Sequence, residues 1–581
     1  MQYCSDTGPK TGCRIRRVFI KSTIGSGPFE PIGSINLFVQ RRDQTMPRAI
    51  QNTQSPQKLR SWNRHYSQSL SQTLTQLFAL GLCLANLNLL TACSKDKDDR
   101  KDPDPKQLRW NEQTQGKEQN FFQALYHFIK GPSAEYIAVM DENGAPIASA
   151  QVMIGNKENS PFAQNIFTTD SNGHIPLPTN WNAPTAVTAW ASGRVPVTYL
   201  QQAPQALQFF LKSSLNSQIL EVKGQGTGFD IKDKDGWADF ALMFEAIAKP
   251  NLLNFDLSMV ISSQMDTMDV MGQTVSLPSN VALPKQKESY ILPITLEKPI
   301  YRAYFNTQGP KMMYAMKGRF PFKTVVKEMK DDKPFHELIN HFQIQSGSIR
   351  TVQVTNPSQN LDLPINELKF TEVKNYKAPA YDNQQYMVSI AGSMYEGRFL
   401  PTDVKTIDPN QNGSLVTAAG STSILLSVLQ RKDHPDVVDR ISSALTPLEN
   451  NPEPVLINLL EKPKVTPQGL QVNLPTLPSQ LEATGTYAVL SEVRMKTAGD
   501  FKAEVADKKW EVYADEWVSQ VELPEIPQRQ LGTGKRQWDI AVMAQNRESS
   551  KDKSGSKKTV DLGPALFDAS THATRSSETF Q

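Results

Sequence analysis

Short segments of alternating apolar and polar residues recur along this chain, and Pro, Gly and Asn separate them. A period of two residues is typical of a strand with one face against a core, and the 39 prolines leave few stretches for long helices. The pattern therefore predicts a mainly β chain of several β-sandwiches with a few short helices. The predicted strands are 136–140, 150–154, 174–177, 186–191, 207–211, 257–261, 290–296, 300–305, 349–354, 386–390, 423–429, 486–493, 510–518 and 538–542.

We expect these segments to belong to several domains, because a chain of 581 residues is too long for one hydrophobic core. Helical spacing of apolar residues predicts short helices within 121–129, 323–342 (interrupted by Pro334) and 433–450. Disorder is predicted for the N-terminal region, the tether and the tail. The predicted order is a signal and pre-region at 1–92, a lipid-anchored tether with a short helix at 93–133, a β-sandwich at 135–212, a β-rich central region at 215–431, a helical and Pro-rich connector at 432–464, a β-rich domain at 465–545 and a flexible tail at 546–581.

An uncharged segment in the first hundred residues has the arrangement of an export signal. Residues 66–94 contain no Lys, Arg, Asp or Glu, and 74–90 form an apolar run preceded by Lys58, Arg60 and Arg64. Basic residues before an apolar run are typical of a secretory signal. Three amide side chains dilute the run, which disfavours a permanent transmembrane helix because lipid offers them no hydrogen-bonding partner.

The apolar run ends in Leu90, Thr91, Ala92 and Cys93. This tetrapeptide resembles the lipobox of bacterial lipoproteins. The resemblance implies that the Cys93 thiolate is alkylated by a diacylglycerol group and that a signal peptidase, recognising Leu90, Thr91 and Ala92, then cuts before the cysteine. The lipid would anchor the protein to the membrane. The alternative is a buried helix that ends in an inert cysteine.

Two neighbouring features refine the lipoprotein hypothesis. Ser94 stands where an aspartate tends to hold lipoproteins of Gram-negative bacteria at the inner membrane, so the resemblance implies transfer to the outer membrane. Signal peptides usually have roughly 15–30 residues, whereas 92 residues precede Cys93. A start codon placed too far upstream would explain the excess, and Met46 is a candidate for the true start.

Residues 135–212 carry a second recognisable pattern. It opens with Asp-x-Asn-Gly-x-Pro-Ile at 141–147, continues with Thr-x-Asp-x-x-Gly at 168–173, and ends with a small-residue-rich strand at Gly193. The segment resembles the carboxypeptidase regulatory-like domain, a small transthyretin-like β-sandwich, although Arg194 stands where that family more often has an aromatic residue. The resemblance implies a structural or adhesive module without catalytic residues of its own.

An acidic segment between two predicted strands is the candidate metal site. Asp233, Asp235 and Asp239 surround Gly236 in an Asp-x-Asp-Gly-x-x-Asp pattern. Calcium prefers several carboxylate oxygens on a tightly curved loop, and the pattern resembles the calcium loops of dockerin-like and integrin-propeller repeats. Ile231 stands where such a loop has its first ligand. Calcium binding and a solvated acidic turn are therefore both open, and no other cofactor is predicted.

Other motifs predict no catalytic site. His336 and His341 are five residues apart, whereas the zinc-protease motif needs histidines at i and i+4 on one helix face. They are interpreted as partly exposed helix residues. The sequence has neither a nucleophile-elbow motif nor a phosphate-binding loop motif, so no enzyme activity is predicted. The 62 basic and 59 acidic residues give a net charge of +3 without a basic, aromatic-rich patch, which disfavours nucleic-acid binding.

Two functions from different classes follow from these patterns. The first is a non-catalytic cell-envelope lipoprotein, on the periplasmic face or the cell surface, whose sandwiches are structural or recognition modules for envelope proteins or glycans. All four cysteines lie at or before Cys93, as suits a mature chain in an oxidising compartment. The second is an envelope hydrolase, a peptidase or glycan-active enzyme, whose two carboxylates are brought together only by the fold.

Overall fold

The computed structural model describes most of the chain after residue 135. The described residues all belong to one compact unit, Arg60–Gln581. The predicted export signal, the tether, the helix at 121–129 and the strand at 257–261 lie outside them. The described residues are 136–214, 220–229, 237–253, 265–270, 273–282, 285–287, 295–297, 300–305, 308–321, 324–325, 327–328, 331, 333–355, 359–432, 439–498, 501–527, 534–548 and 561–581.

The first seven strands form a β-sandwich. They are β1 (Tyr136–Asp141), β2 (Gln151–Ile154), β3 (Ile166–Thr168), β4 (His174–Pro176), β5 (Thr185–Trp190), β6 (Val197–Gln202) and β7 (Leu207–Leu211). Strands β4, β1 and β7 form one layer, and β3, β2, β5 and β6 form the other. The layers meet in an apolar core in which the rings of Tyr199 and Phe209 stack at 4.2 Å. The predicted sandwich without helix is therefore confirmed.

The two aspartate-glycine motifs of this sandwich form its turns. The Asp141 carboxylate accepts hydrogen bonds from the backbone N–H groups of residues 143 and 145, both at 2.9 Å. Asp170 accepts in the same way from residues 172 and 174, at 2.9 and 2.8 Å. Asp side chains favour such turns because they satisfy backbone donors locally. Gly173 has a φ of 74°, and a Cβ there would lie 2.5 Å from the Val139 carbonyl oxygen.

The rest of the described chain is also mainly β, with three short α-helices, which confirms the predicted fold class. Its first part comprises β8 (Leu220–Thr227), β9 (Trp237–Glu245), β10 (Ile247–Ala248), α1 (Lys249–Leu253), β11 (Met265–Val270), β12 (Gln273–Pro278), β13 (Val281–Ala282), β14 (Lys285–Lys287), β15 (Thr295–Glu297), β16 (Ile300–Phe305), β17 (Gly309–Pro321), α2 (Phe335–Leu338) with the 3-10 helix Ile339–His341, β18 (Gln343–Val354), β19 (Gln359–Asn360), β20 (Leu363–Pro364) and β21 (Leu368–Lys377). Its second part comprises β22 (Gln385–Tyr395), β23 (Arg398–Ile407), β24 (Asn412–Ala418), β25 (Ser423–Arg431), β26 (Arg440–Pro447), β27 (Lys464–Thr466), β28 (Gly469–Gln471), β29 (Leu481–Ala498), β30 (Phe501–Ala514), β31 (Gln520–Glu522), β32 (Arg536–Asn546), α3 (Pro564–Ala569) and β33 (His572–Phe580).

One sheet of thirteen described strands runs through the predicted domains. Its order is β10-β23-β22-β25-β26-β33-β32-β29-β30-β6-β5-β2-β3. The first sandwich joins it where β6 pairs in parallel with β30, with Val197 opposite Glu511 and Tyr199 opposite Tyr513. The domain predicted at 135–212 and the domain predicted at 465–545 are therefore joined by backbone hydrogen bonds and not only by the chain between them.

A six-stranded sheet lies against one end of this large sheet. Its order is β13-β9-β17-β18-β21-β24. Tyr314 of β17 is fully buried, and its hydroxyl donates a hydrogen bond of 2.7 Å to the Pro401 carbonyl of β23 in the large sheet. Apolar residues of both sheets share one core. The central region is therefore a second sandwich, and it shares the large sheet with the first.

Two predictions at the C-terminal side are wrong. The connector at 432–464 is not helical in its described part, because residues 440–447 form strand β26, and 448–463 have no regular structure. Residues 561–581 of the predicted flexible tail form α3 and β33, and β33 lies between β26 and β32. The polar sequence of β33 does not predict a buried strand. Its small side chains, such as those of Ala573, Thr574 and Ser576, nevertheless fit between packed layers. The helix predicted at 323–342 is confirmed in pieces. Residues 324–325 and 327–328 are helical, and α2 and the 3-10 helix Ile339–His341 follow Pro334.

Candidate ligand-binding cleft

The predicted metal site falls only partly within the described residues. Asp239 lies in β9, where its Oδ2 is 3.3 Å from the Nζ of the nearly buried Lys317 on the neighbouring strand β17. Among the described residues, no three His, Cys, Asp or Glu side chains come together as metal ligands. No described helix has the length and apolar character needed to cross a bilayer. Outside the described residues lie Leu90, Thr91, Ala92, Cys93, Asp233 and Asp235.

His336 and His341, whose spacing does not match the zinc-protease motif, both line a cleft between the two sheets, and they contact different partners. The imidazole of His336 stacks on the Tyr386 ring, with centroids 4.1 Å apart and planes 16° from parallel. The Nε2 of His341 lies 2.7 Å from a Glu328 carboxylate oxygen. Burial lowers the pKa of His336, and the Glu337 carboxylate partly offsets this. The hydrogen bond with His341 lowers the pKa of Glu328.

The cleft has a volume of about 930 Å³ and lies where the two sheets meet. Helix α2 and the 3-10 helix after it form one wall. The ends of β21 and β23 and the starts of β22 and β24 form the rest. Pockets for small ligands have volumes of roughly 300–1,000 Å³, so this cleft has the size of a binding site.

Hydrogen bonds fix the helical wall onto β23. The Asn340 side chain donates to Thr406 Oγ1 and accepts from the Thr406 N–H, both at 2.8 Å. Thr406 Oγ1 in turn donates to the His336 carbonyl at 2.9 Å. The Lys405 ammonium donates to the Asn340 carbonyl at 3.2 Å, at the end of the helical segment, where carbonyl groups lack helical partners. The wall is therefore held in place without a ligand.

The strands beneath the cleft are closely packed. Tyr376 is fully buried, and burial raises the pKa of its hydroxyl to about 12. A Cβ on Gly413 would lie 2.6 Å from the Tyr376 ring, so β24 approaches this closely because residue 413 is glycine. The buried Asp403 accepts hydrogen bonds from the backbone N–H groups of Val404 and Val416, both at 2.9 Å, and so holds β24 against β23.

Several polar side chains line the rim of the cleft. Among the described residues they have no hydrogen-bonding or ion-pairing partner. The set contains a carboxylate, two amides, a hydroxyl and an ammonium group, and all are exposed. Hereafter these are called the rim residues: Asp408, Gln411, Asn412, Ser414 and Lys432.

A second polar cluster lies at the junction of the first sandwich with β30. Glu511 is only 1% exposed, and both of its oxygens contact the Lys212 ammonium, at 2.9 and 3.2 Å. It also accepts hydrogen bonds from Lys508 at 2.9 Å and from the Tyr487 hydroxyl at 2.8 Å. Burial alone would raise the pKa of Glu511, but the ammonium groups of Lys508 and Lys212 outweigh it and lower the pKa to about 2. Hereafter this set is called the Glu511 cluster.

Sequence reasoning found neither the rim residues nor the Glu511 cluster. The cleft is built from segments at 328–341, 376–386, 405–414 and 432, so no local spacing marks it. For Glu511, one signal was available. It stands between Trp510 and Val512 in a strand with aromatic residues on both faces, where a charged side chain needs a buried partner.

Comparisons with known proteins do not assign this chain to a family. No family model matches the chain, and no curated protein matches it. The Bacillus anthracis TIE protein is 8% identical with a TM-score of 0.11, and the alignment covers 55% of this chain but 48%, about half, of that one. A fimbrial assembly protein from Parabacteroides distasonis is 9% identical with a TM-score of 0.13, covering 41% and 98% of the two chains. BcpA, the major pilin subunit of Bacillus cereus, is 9% identical with a TM-score of 0.12, covering 57% and 95%. TM-scores this low establish no common fold and no common function.

Proposed function

We propose that this chain is a non-catalytic lipoprotein of the Gram-negative cell envelope. Cys93 carries the lipid, the charged segment after it is a solvated tether, and the β-sandwiches form a structural and recognition module held at the membrane. The apolar run, its basic flank and the Leu-Thr-Ala-Cys sequence support the anchor. Ser94 supports the outer membrane as its destination.

The proposed structural role rests mainly on one observation, that two sandwiches share one sheet. Strand β6 pairs with β30 across more than 300 residues of sequence, and the Glu511 cluster bridges the same junction. Sandwiches joined only by linkers would move independently. A shared sheet instead keeps a binding surface at a fixed orientation, which suits a scaffold. The two-layered β-sandwich at 136–211 also supports the proposed carboxypeptidase regulatory-like domain.

The anchor is tested by labelling the full chain with an alkyne fatty acid in a Gram-negative host. We expect the parent protein to incorporate the label and to partition into detergent, and Cys93→Ser to do neither. Cys83→Ser is the matched control, because it removes a thiol from the same uncharged segment. The hypothesis fails if Cys93→Ser keeps the label, or if Cys83→Ser loses it to the same extent.

A further inference from the structure

We propose that the cleft beside α2 binds a neutral oligosaccharide. The proposal deepens the recognition role given above and rests on it. It assigns the rim residues to hydrogen bonding with sugar hydroxyl groups. The helical wall, the floor formed by Tyr376 and the rim together define the site.

The charges around the cleft favour an uncharged ligand. Three lysines and three acidic residues line it, so their formal charges cancel. A polyanion such as a phosphate-rich glycan or a nucleic acid would need a surplus of cations. The Lys405 ammonium already donates to backbone carbonyls, and the Lys333 ammonium lies 3.2 Å from Glu328. The charged lining residues are Glu328, Lys333, Glu337, Lys405, Asp408 and Lys432.

The chemistry of the rim fits hydroxyl groups, which donate and accept at once. The Asp408 carboxylate accepts, the Lys432 ammonium donates, and the Gln411 and Asn412 amides do both. The Ser414 hydroxyl adds a further donor and acceptor. Since these side chains make no bonds within the described fold, a ligand would gain their hydrogen bonds without breaking existing ones.

Backbone groups of β24 add to this set. The Val416 N–H donates to Asp403 and its carbonyl accepts from Thr402, so both groups point away from β21 toward β23. Peptide groups two residues apart in a strand point to the same side. The N–H and C=O groups of Asn412 and Ser414 therefore point the same way, at the point where these residues line the cleft.

An extended peptide is the competing ligand, since it would pair with this edge of β24. The edge is short, however. Asp403 and Thr402 occupy it at Val416, which leaves the peptide groups of Asn412 and Ser414 for pairing. Peptide recognition by strand addition relies on a longer row of main-chain hydrogen bonds. The broad, polar and half-enclosed cleft favours a short oligosaccharide instead.

The test uses the full chain, purified in detergent, on an array that carries neutral oligosaccharides, acidic oligosaccharides and extended peptides. We expect binding to a neutral oligosaccharide, with an affinity that salt does not change because no ion pair is formed. Asp408→Ala with Asn412→Ala should weaken this binding about tenfold, since it removes two ligand hydrogen bonds. Glu158→Ala with Asn143→Ala is the matched control, because it removes an exposed carboxylate and an exposed amide from the first sandwich. We expect the control to bind like the parent.

Three outcomes would overturn the proposal. They are the absence of binding to every neutral oligosaccharide, a preference for acidic oligosaccharides or peptides, and equal binding by the cleft variant and the control. Fatty-acid labelling on the same preparation separates this failure from that of the proposed function. A labelled protein without oligosaccharide binding refutes only the cleft assignment, whereas binding by an unlabelled protein refutes only the lipid anchor.

Discussion

Replacing Glu511 with Gln removes the one negative charge at the centre of the Glu511 cluster while keeping the shape of the side chain. The parent carboxylate is almost completely buried and contacts Lys212, Lys508 and Tyr487 within 3.2 Å. These groups belong to the first sandwich and to strands β29 and β30. The substitution therefore tests whether ion pairing at the β6–β30 junction holds the two sandwiches together.

Breaking a buried ion pair by removing one partner costs roughly 3–5 kcal/mol. The loss here should be smaller, because the side chains of Lys212 and Lys508 are 41% and 45% exposed and both can turn toward water. The amide also still accepts a hydrogen bond from Tyr487. We expect a loss of about 2–3 kcal/mol in the free energy of unfolding.

Urea unfolding at neutral pH, followed by tryptophan fluorescence, measures this loss. Trp510 is a local reporter, since its Nε1 donates to Thr198 Oγ1 of β6 at 2.8 Å. Glu516→Gln, at an exposed position just after β30, is the matched control and should change stability by less than about 0.5 kcal/mol. Equal unfolding midpoints for Glu511→Gln and the control would refute the role of the cluster.

The pH dependence of stability gives an independent check on the same group. The pKa of Glu511 is about 2 in the folded state, below its ordinary value of 4.5. A lowered folded pKa means that the carboxylate stabilises the protein above pH 4.5, and that this stabilisation is lost as the pH falls from 4.5 toward 2. Glu511→Gln should lack this part of the acid-induced loss.

The remaining predictions concern an acid-sensitive histidine and the acidic segment. Burial lowers the pKa of His572 from 6.5 to about 4, so stability is complete above pH 6.5 and falls by about 3 kcal/mol as the pH drops to 4, at about 1.4 kcal/mol per pH unit. His572→Gln should flatten the dependence of melting temperature on pH over this range, and a variant that keeps the parent slope would contradict the reasoning. Lys317 already pairs with Asp239, so we expect added calcium to leave the melting temperature unchanged. A bound calcium at one hundred times its Kd would stabilise by about 2.7 kcal/mol, and a rise that Asp235→Ala abolishes would show that the loop binds calcium.

The strands of this fold are predictable because a period of two residues is a local property. The sequence predicts β1, β2, β5 and β7 from short apolar or alternating segments, with Asp-Gly turns after β1 and before β4. The turns are confirmed in detail, since Asp141 and Asp170 accept the backbone N–H groups that their spacing implies. Local chemistry of this kind depends on neighbours within four residues, and a single sequence contains it completely.

The pairing of strands is not local, and there the sequence pattern fails. Strand β6 is followed closely by β7, yet its partners in the large sheet are β5 and β30. Nothing in the alternation of residues 197–202 distinguishes one partner from another. For β33, the sequence also misleads, because residues 572–580 are mostly small and polar and resemble a tail. Their buried backbone is satisfied by strands on both sides, so the apolar content of the segment itself is not decisive.

The cleft and the Glu511 cluster depend on the same long-range pairing, and this explains why both escaped the sequence pattern. The rim residues come from the end of β23, the start of β24 and the end of β25. The helical segment forms the opposite wall because Asn340 is hydrogen-bonded to Thr406 across 66 residues of sequence. Glu511 is stabilised by Lys212 across 299 residues. In each case the polar side chain is unremarkable in its own segment. Its partner can be recognised only when the sheet brings the two segments together. Charged residues inside strongly apolar strands are therefore the positions at which a distant partner should be sought in such sandwiches.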